Sequence, residues 1–221
     1  ADVAGKPSFA AVAERFAMYL DERMHQGVRP WLAGYNAAGF DAPLLNAEFA
    51  RIGSDVRIDP AMVVDPMIFV RWHLRHLRSR SLVNICAHYG IEAGRAHSAL
   101  DDARATARLL FRLVDEGFMP ANVSEALRLQ SVLGPKLEAE WLNYAYWLYH
   151  DRGDGRLLLG AGSHIGSPLE AASPDYLRSL LAKVSDLPER VRIIFLDAAS
   201  RSGDATGKRD SVLAAGLATP L

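Results

Sequence analysis

Apolar residues recur at helical spacing from the start of the chain. The first helix is predicted after Pro7 and Ser8 and ends before Gly27, with an apolar face made of Phe9, Val12, Phe16, Met18, Tyr19 and Leu20. The chain enters this helix with almost no preceding segment.

Two short apolar runs, "RPWLAGYN" and "AMVVDP", have the length of buried strands rather than helices. Between them, Leu45, Phe49 and Ile52 recur at helical spacing and stop at Gly53. This strand-helix-strand order predicts an α/β layer fold.

Three further helices are predicted in the next part of the chain. The first spans 67–77 and carries several basic side chains. The second begins after its N-cap Ser81 and ends at Gly90. The third, "HSALDDARATARLLFRLVDEGF", has the clearest pattern, with a core stripe made of Ala99, Ala103, Thr106, Leu109, Leu110 and Leu113.

The pattern changes after Met119. Helices are predicted over 123–133 and 137–150, and "RGDGRLLLGAGSHIGSPL" predicts a β-turn-β element. Two more helices are predicted near 174–184 and 188–196, followed by a flexible tail rich in small residues.

Composition restricts the class of protein. Half of the 221 residues are hydrophobic, which allows a real core, and the net charge of −1 provides no bulk basic field for nucleic acid. The one cysteine, Cys86, excludes a disulfide framework and favours a reducing cytoplasm. No apolar stretch is long enough to span a bilayer, and the N-terminus lacks the pattern of a signal peptide.

Acidic side chains at the start of the clearest helix are candidates for chemistry. Asp102 lies at the edge of its core stripe, where a half-buried carboxylate needs a partner, whereas Asp101 points elsewhere. The alternative is that both acids only complement the positive end of the helix dipole and that His97 is a surface or capping residue.

Asp41 has a similar ambiguity. With Pro43 in the first turn, Asp41 can be the N-cap of the helix, and a rigidly held cap can still offer an oxygen to a metal ion. Asp65, followed by Pro66, has the same pattern one strand later, and there a plain helix cap is predicted.

The segments "GYNAAGFDAPLL" and "HSALDDARATARLL" together resemble the second and third motifs of the DnaQ-like 3′-to-5′ exonucleases with the DEDDh carboxylate set. The resemblance covers about residues 1 to 116. It implies that Asp41 and Asp102 bind metal, that His97 is the general base, and that Asn36 and Phe40 contact substrate.

What this resemblance implies for the whole chain is an α/β protein with an RNase H-like exonuclease domain. Such enzymes release nucleoside 5′-monophosphates from the 3′ ends of DNA or RNA, single-stranded or frayed, with two Mg²⁺ or Mn²⁺ ions. Hard oxygen ligands suit these cations, and a histidine near neutrality can accept a proton from water. A DNA polymerase or another replication or repair protein is the implied partner.

The family's first motif, an Asp-x-Glu on the first strand, does not occur in the sequence. We expect an incomplete domain that lacks its first strands, and weak or no activity from this chain alone. The alternative is a non-catalytic interaction or nucleic-acid-binding module, or a metal-free structural fragment. The predicted domains are the exonuclease part at 1–118, a connecting helix at 119–138, a small, mostly helical accessory module at 139–197 and the tail at 198–221.

Three other features have two interpretations each. The basic run of Arg71, His73, Arg75, His76, Arg78 and Arg80 is either a solvated helix face or a phosphate contact. Crowded aromatics on one predicted helix either pack in the second module or stack on bases: Trp141, Tyr144, Tyr146, Trp147 and Tyr149. The turn containing Ser163 and His164 resembles the glycine-turn module appended to some of these exonucleases, and the alternative is a tight hairpin.

Overall fold

The computed structural model describes residues 5–27, 30–94 and 98–201. It divides into two compact units, Ala1–Ala139 and Glu140–Leu221. Among the described helices, none combines the length and the apolar character needed to cross a bilayer.

The first unit contains mostly helices around two short strands. Its elements are α1 (Phe9–His25), β1 (Leu32–Ala33), α2 (Asp41–Arg51), a 3₁₀ helix (Pro60–Met62), β2 (Val63–Val64), α3 (Pro66–His73), α4 (Leu82–His88), α5 (Ala99–Asp115) and most of α6 (Val123–Tyr144). The mixed α/β prediction is confirmed. The RNase H-like arrangement stays a prediction.

Strands β1 and β2 are parallel and are joined through α2, with Leu32 opposite Val63 and Ala33 opposite Val64. Successive side chains of a strand point to opposite faces. Val63 packs in a cluster with residues of α1 and α2, and Val64 packs in a second cluster with residues of α3 to α6. The two strands are therefore the middle layer of the first unit.

The apolar face predicted for the first helix is partly wrong. Phe9 and Phe16 pack on the ring of Phe49 in α2, with ring centroids 5.5 and 6.4 Å away. Ala13, which was not predicted, is the buried residue between them, whereas Met18 is 64% exposed. Val12 and Tyr19 are exposed as well. Among the described side chains of α1, those that pack in the core lie on the side that meets Phe49, and the side chain of Leu20 lies outside the described residues.

The stripe predicted for α5 is confirmed only in its middle and C-terminal part. Thr106, Leu109 and Leu113 are buried, but Ala99 and Ala103 are exposed. The first turns of α5 thus carry apolar residues that no described segment covers.

The predicted break between two helices near Pro135 is wrong. A single helix, α6, runs from Val123 to Tyr144 with Pro135 inside it. Proline in a helix interior costs about 3 kcal/mol. Leu133 and Leu137 on either side of it are both buried, and their packing offsets that cost.

Met119, Ala126 and Leu133 are buried in the core of the first unit, so much of the segment predicted as a connection is core.

The second unit contains a β-hairpin and two helices. β3 (Leu148–His150) pairs antiparallel with β4 (Leu157–Leu159), and α7 (Pro174–Lys183) and α8 (Glu189–Arg201) follow, with a 3₁₀ helix (Leu169–Ala171) before them. The helix predicted over 137–150 is therefore wrong after Tyr144, because the chain turns there and residues 148–150 form a strand. A side chain at Gly160 would collide with the carbonyl of Tyr146, so the hairpin requires glycine there.

Candidate active site

A cleft of about 840 Å³ opens in the first unit between β1, α2 and α5. Its lining is mainly apolar, with contributions from Phe16, Leu32, Ala33, Leu45, Ile58, Leu82, Ala103, Ala107, Leu110 and Phe111. Among the described residues of the lining, Asp41 and Asp102 are the only charged ones. Two aspartates far apart in the sequence thus line one mainly apolar opening.

Asp41 is the first residue of α2 and not its cap. The N-cap position is occupied by Phe40, and no side chain caps this helix end through a hydrogen bond. The prediction that Asp41 caps the helix is therefore wrong. Asp41 lies one position inside the helix and is one of the residues that line the cleft.

Asp102 lies in the first turn of α5, where its backbone N–H donates to the carbonyl of Ser98 at 2.8 Å. Its side chain lines the cleft, whereas Asp101 is absent from the lining and lies 3.9 Å from the guanidinium of Arg104. Burial raises the pKa of the Cys86 thiol on α4, and the negative charge of Asp102 raises it further. Both acids are also placed to complement the positive end of α5.

Asn36 and Phe40, the two residues predicted to contact substrate, lie in the segment between β1 and α2. Both are exposed, and neither lines the cleft. Asn36 has a φ of 64°, which asparagine tolerates better than most residues. His97, the predicted general base, lies outside the described residues.

Two side chains near the cleft were missed by sequence reasoning as parts of the site. Tyr35 lines the cleft and donates its hydroxyl hydrogen to the carbonyl of Arg80. Burial raises the pKa of this phenol, with a smaller contribution from the charge of Asp65. Asp65 itself is 3% exposed and accepts hydrogen bonds from the loop that precedes Asp41. These contacts join residues that are far apart in the sequence, so the local pattern of apolar and polar residues could not indicate them.

The predicted basic run does not form one helix face. α3 ends at His73, whose ring stacks on Phe118 with centroids 4.4 Å apart. Arg75 lies 5.1 Å over the Trp72 ring, and Arg80 donates to the carbonyls of Arg75 and Leu77. Part of this charge therefore supports the local structure.

The aromatic residues of the second unit are divided between core and surface. Tyr144 and Trp147 are buried and pack in the core of the second unit, whereas Trp141 is 50% exposed and is not part of that core. In the glycine turn, His164 lies edge-on to the Tyr176 ring, with centroids 4.2 Å apart, and its Nδ1 is 3.0 Å from the hydroxyl of Ser163.

The donor set for a metal ion is small. Across the described residues, no group of three or more His, Cys, Asp or Glu side chains is arranged to hold a metal ion. The two aspartates of the cleft have the oxygen donors that Mg²⁺ and Mn²⁺ prefer, but two carboxylates are fewer than a pair of such cations needs.

Comparison with known proteins agrees with the motifs. Residues 1–110 match the RNase_T family model, described as an exonuclease. A DNA polymerase III PolC-type protein of Oceanobacillus iheyensis is 36% identical over 103 residues, which are 47% of this chain and 7% of the relative. A protein of the same name from Halalkalibacterium halodurans is 29% identical over 112 residues, 51% of this chain and 7% of the relative.

The chain thus spans a small part of the length of these curated relatives. No solved structure matches it. The family match covers α1 to most of α5, and every residue of the cleft lining except Phe111 lies within it. Through residues 1–110, the chain belongs to the RNase_T exonuclease family of the DnaQ-like superfamily.

Proposed function

We propose that this chain carries part of a DEDDh-type 3′-to-5′ exonuclease that releases nucleoside 5′-monophosphates from the 3′ ends of DNA or RNA. The observation that supports it is the meeting of Asp41 and Asp102 in one cleft, within the segment that matches the exonuclease family. An RNase H-like architecture of the complete domain is part of this proposal.

Each residue of the motif has a proposed role. Asp41 and Asp102 bind divalent cations, Mg²⁺ or Mn²⁺, His97 accepts a proton from the attacking water, and Asn36 and Phe40 contact the substrate. The chemistry that such cations supply is neutralisation of the phosphate, a lower pKa of water and stabilisation of the departing 3′ oxygen. Among the described lining residues, no basic side chain competes with a cation for the two aspartates.

Two carboxylates bind a pair of reluctantly dehydrating cations weakly. We therefore propose that this chain alone is weakly active or inactive, and that further carboxylates, such as an Asp-x-Glu on an added strand, complete the active enzyme. The name of the relatives, DNA polymerase III PolC-type, supports DNA as substrate and a replicative polymerase as partner.

The second candidate function is a non-catalytic interaction or nucleic-acid-binding module derived from such an exonuclease. The observation that favours it is the small donor set, since no described group of three potential ligands is present. The two functions differ in their dependence on metal ions.

The test measures the shortening of 5′-labelled single-stranded DNA with Mn²⁺, together with Mn²⁺ binding followed by the EPR signal of the free ion. We expect slow loss of mononucleotides from the 3′ end and weak ion binding, both abolished by Asp41→Asn and by Asp102→Asn. Asp101→Asn is the matched control, because this neighbour does not line the cleft and its substitution leaves both signals unchanged.

Three outcomes have different meanings. Absence of both Mn²⁺ binding and DNA shortening favours the non-catalytic module. Shortening that survives both Asp41→Asn and Asp102→Asn, or that starts from the 5′ end, contradicts the proposed function. Rapid and complete digestion contradicts the expectation of weak activity.

A further inference from the structure

Asp65 joins two segments of the first unit through one carboxylate, the start of α3 and the loop that follows β1. Its Oδ1 accepts hydrogen bonds from the backbone N–H groups of Met67 at 3.0 Å and of Asn36 at 2.9 Å. Its Oδ2 is 3.4 Å from the backbone nitrogen of Ala38, which donates to it. The side chain therefore caps α3, as predicted, and also holds the loop that leads from β1 to Asp41.

A plain helix cap does not need to be buried, and Asp59 shows this in the same chain. Asp59 precedes Pro60 as Asp65 precedes Pro66, and its side chain accepts from the N–H of Ala61 at 2.9 Å. Asp59 is exposed, whereas Asp65 is 3% exposed. Burying a carboxylate costs free energy unless hydrogen bonds compensate it, so the burial of Asp65 indicates a task beyond capping.

The electrostatics of Asp65 agree with this interpretation. Burial raises the pKa of its carboxyl group, and the three backbone N–H donors oppose that rise. The negative charge of Asp41 raises the pKa of Asp65 as well.

The loop that Asp65 holds has an unfavourable backbone conformation. Asn36 has a positive φ of 64°, which is uncommon for a non-glycine residue although asparagine adopts it more readily than most. The loop is short, and α2 begins at Asp41 without a side-chain cap. The direction of the Asp41 side chain therefore depends on contacts that reach the loop from outside α2.

Asp65 is itself held by Gln130 of α6. The backbone N–H of Asp65 donates to Oε1 of Gln130, and Nε2 of Gln130 donates to the carbonyl of Val63, both at 2.8 Å. Gln130 is 6% exposed, so both bonds are shielded from water. The side-chain amide fixes the end of β2 in the way that a neighbouring strand would.

We infer that Asp65 is a positioning residue for Asp41, and that Gln130 fixes Asp65 for this purpose. Asp65 anchors the amides of Asn36 and Ala38, which sets the start of α2 and the direction of the Asp41 carboxylate into the cleft. This inference rests on the proposed function, in which Asp41 binds a divalent cation.

The test compares Asp65→Ser with Asp59→Ser in the full chain. Serine is as good an N-cap as aspartate, so α3 stays capped, but its shorter side chain does not reach Asn36 and Ala38. We expect amide hydrogen exchange at Asn36 and Ala38 to rise about tenfold in Asp65→Ser, as loss of two hydrogen bonds predicts. Exchange in α3 stays unchanged, and Asp59→Ser leaves the loop unchanged.

Manganese binding, followed by EPR of the free ion, is the second measurement. We expect Asp65→Ser to weaken it several-fold, while Asp59→Ser leaves it at the wild-type value. Loop exchange that does not rise, or ion affinity equal in the two variants, overturns the inference. Wild-type protein that binds no manganese contradicts the proposed function instead, and the exchange data then decide separately whether Asp65 holds the loop.

Gln130→Met is the second variant, and it keeps the inference testable if Asp65→Ser does not fold by circular dichroism. Methionine has nearly the same length as glutamine but makes neither hydrogen bond to β2. We expect the same changes at the loop and in ion affinity, with a smaller size, because Asp65 is still present. If a folded Gln130→Met protein exchanges the amides of Asn36 and Ala38 at the wild-type rate, Gln130 does not fix Asp65 and this part of the inference is overturned.

Discussion

Cys86 is fully buried on α4, with no exposed surface. Burial raises the pKa of its thiol, and the charge of Asp102 adds to that rise. The thiolate is the reactive form of cysteine, so a raised pKa lowers its amount at neutral and mildly alkaline pH. The thiol is therefore protected both sterically and electrostatically.

We predict that Cys86 reacts with a thiol reagent such as DTNB only when the protein unfolds. At pH 8 the native chain should show a slow reaction whose rate follows unfolding, and the same chain in concentrated urea should react at once. The chain has one cysteine, so the absorbance change reports on Cys86 alone. Equal rates in the native and unfolded protein would contradict the burial of this thiol.

At the level of single residues, the sequence predicted which aspartates line the cleft. It did not predict which residues hold the neighbouring loop in place. The side of the helix on which Asp102 lies follows from apolar spacing, and in the structure this residue lines the cleft. The roles of Asp65 and Asn36 depend on which segments meet across the strands, and local patterns do not contain that information. Gln130 did leave a signal, because it continues the buried spacing of Ala126 and Leu133 as a polar residue.

Helix α5 has two different apolar sides. Leu109 is fully buried in the core with Leu113, whereas Phe111 is 69% exposed and lines the cleft. The core side stabilises the fold, because removing apolar surface from water is favourable. The cleft side contributes little to stability, since its surface remains open to solvent.

We predict that Leu109→Ala lowers the free energy of unfolding by about 2 to 5 kcal/mol, the range for a buried leucine that leaves a cavity. Phe111→Ala is the matched control on the same helix and should change it by less than about 0.5 kcal/mol. Urea denaturation followed by circular dichroism measures both. Similar losses for the two variants would contradict the separation of the core side from the cleft side.

The elements with strong periodicity were predicted well, and those with ambiguous patterns were not. α5 follows the helical repeat over its whole length, so its position was predicted from the sequence. Residues 137–150 also satisfy helical spacing, but the chain turns after Tyr144, where Ala145 has a positive φ of 49°. A short apolar run fits a helix or a strand equally, and here pairing with β4 decides the outcome.

The two units have separate hydrophobic cores. The core around Phe195, Leu177 and Val191 consists, among the described residues, of side chains from the second unit alone. The clusters of the first unit likewise contain none of the described residues beyond 139. A defect in one core therefore acts first on its own unit.

We predict that Phe195→Ala accelerates amide hydrogen exchange in α7 and α8 and leaves the exchange of α5 near its wild-type rate. Phe195 is fully buried, so its truncation creates a cavity in the second core. Mass spectrometry of peptides from both units measures the two rates in one sample. Equal acceleration in α5 would show that the two cores unfold as one.

The sheet of the first unit has two unlike edges. The backbone carbonyls of successive strand residues point to opposite edges of the strand. The backbone N–H of Gly34 donates to the carbonyl of Val64 on one edge of β2, and the side-chain amide of Gln130 donates to the carbonyl of Val63 on the other. The amide of Gln130 thereby occupies the outer edge of β2. A strand from any polypeptide that joined this sheet would have to add beside β1, next to the cleft. A strand that completes the sheet and a strand of a second copy of the protein would therefore pair with the same edge of β1. A completing strand at this edge would also prevent edge-to-edge aggregation.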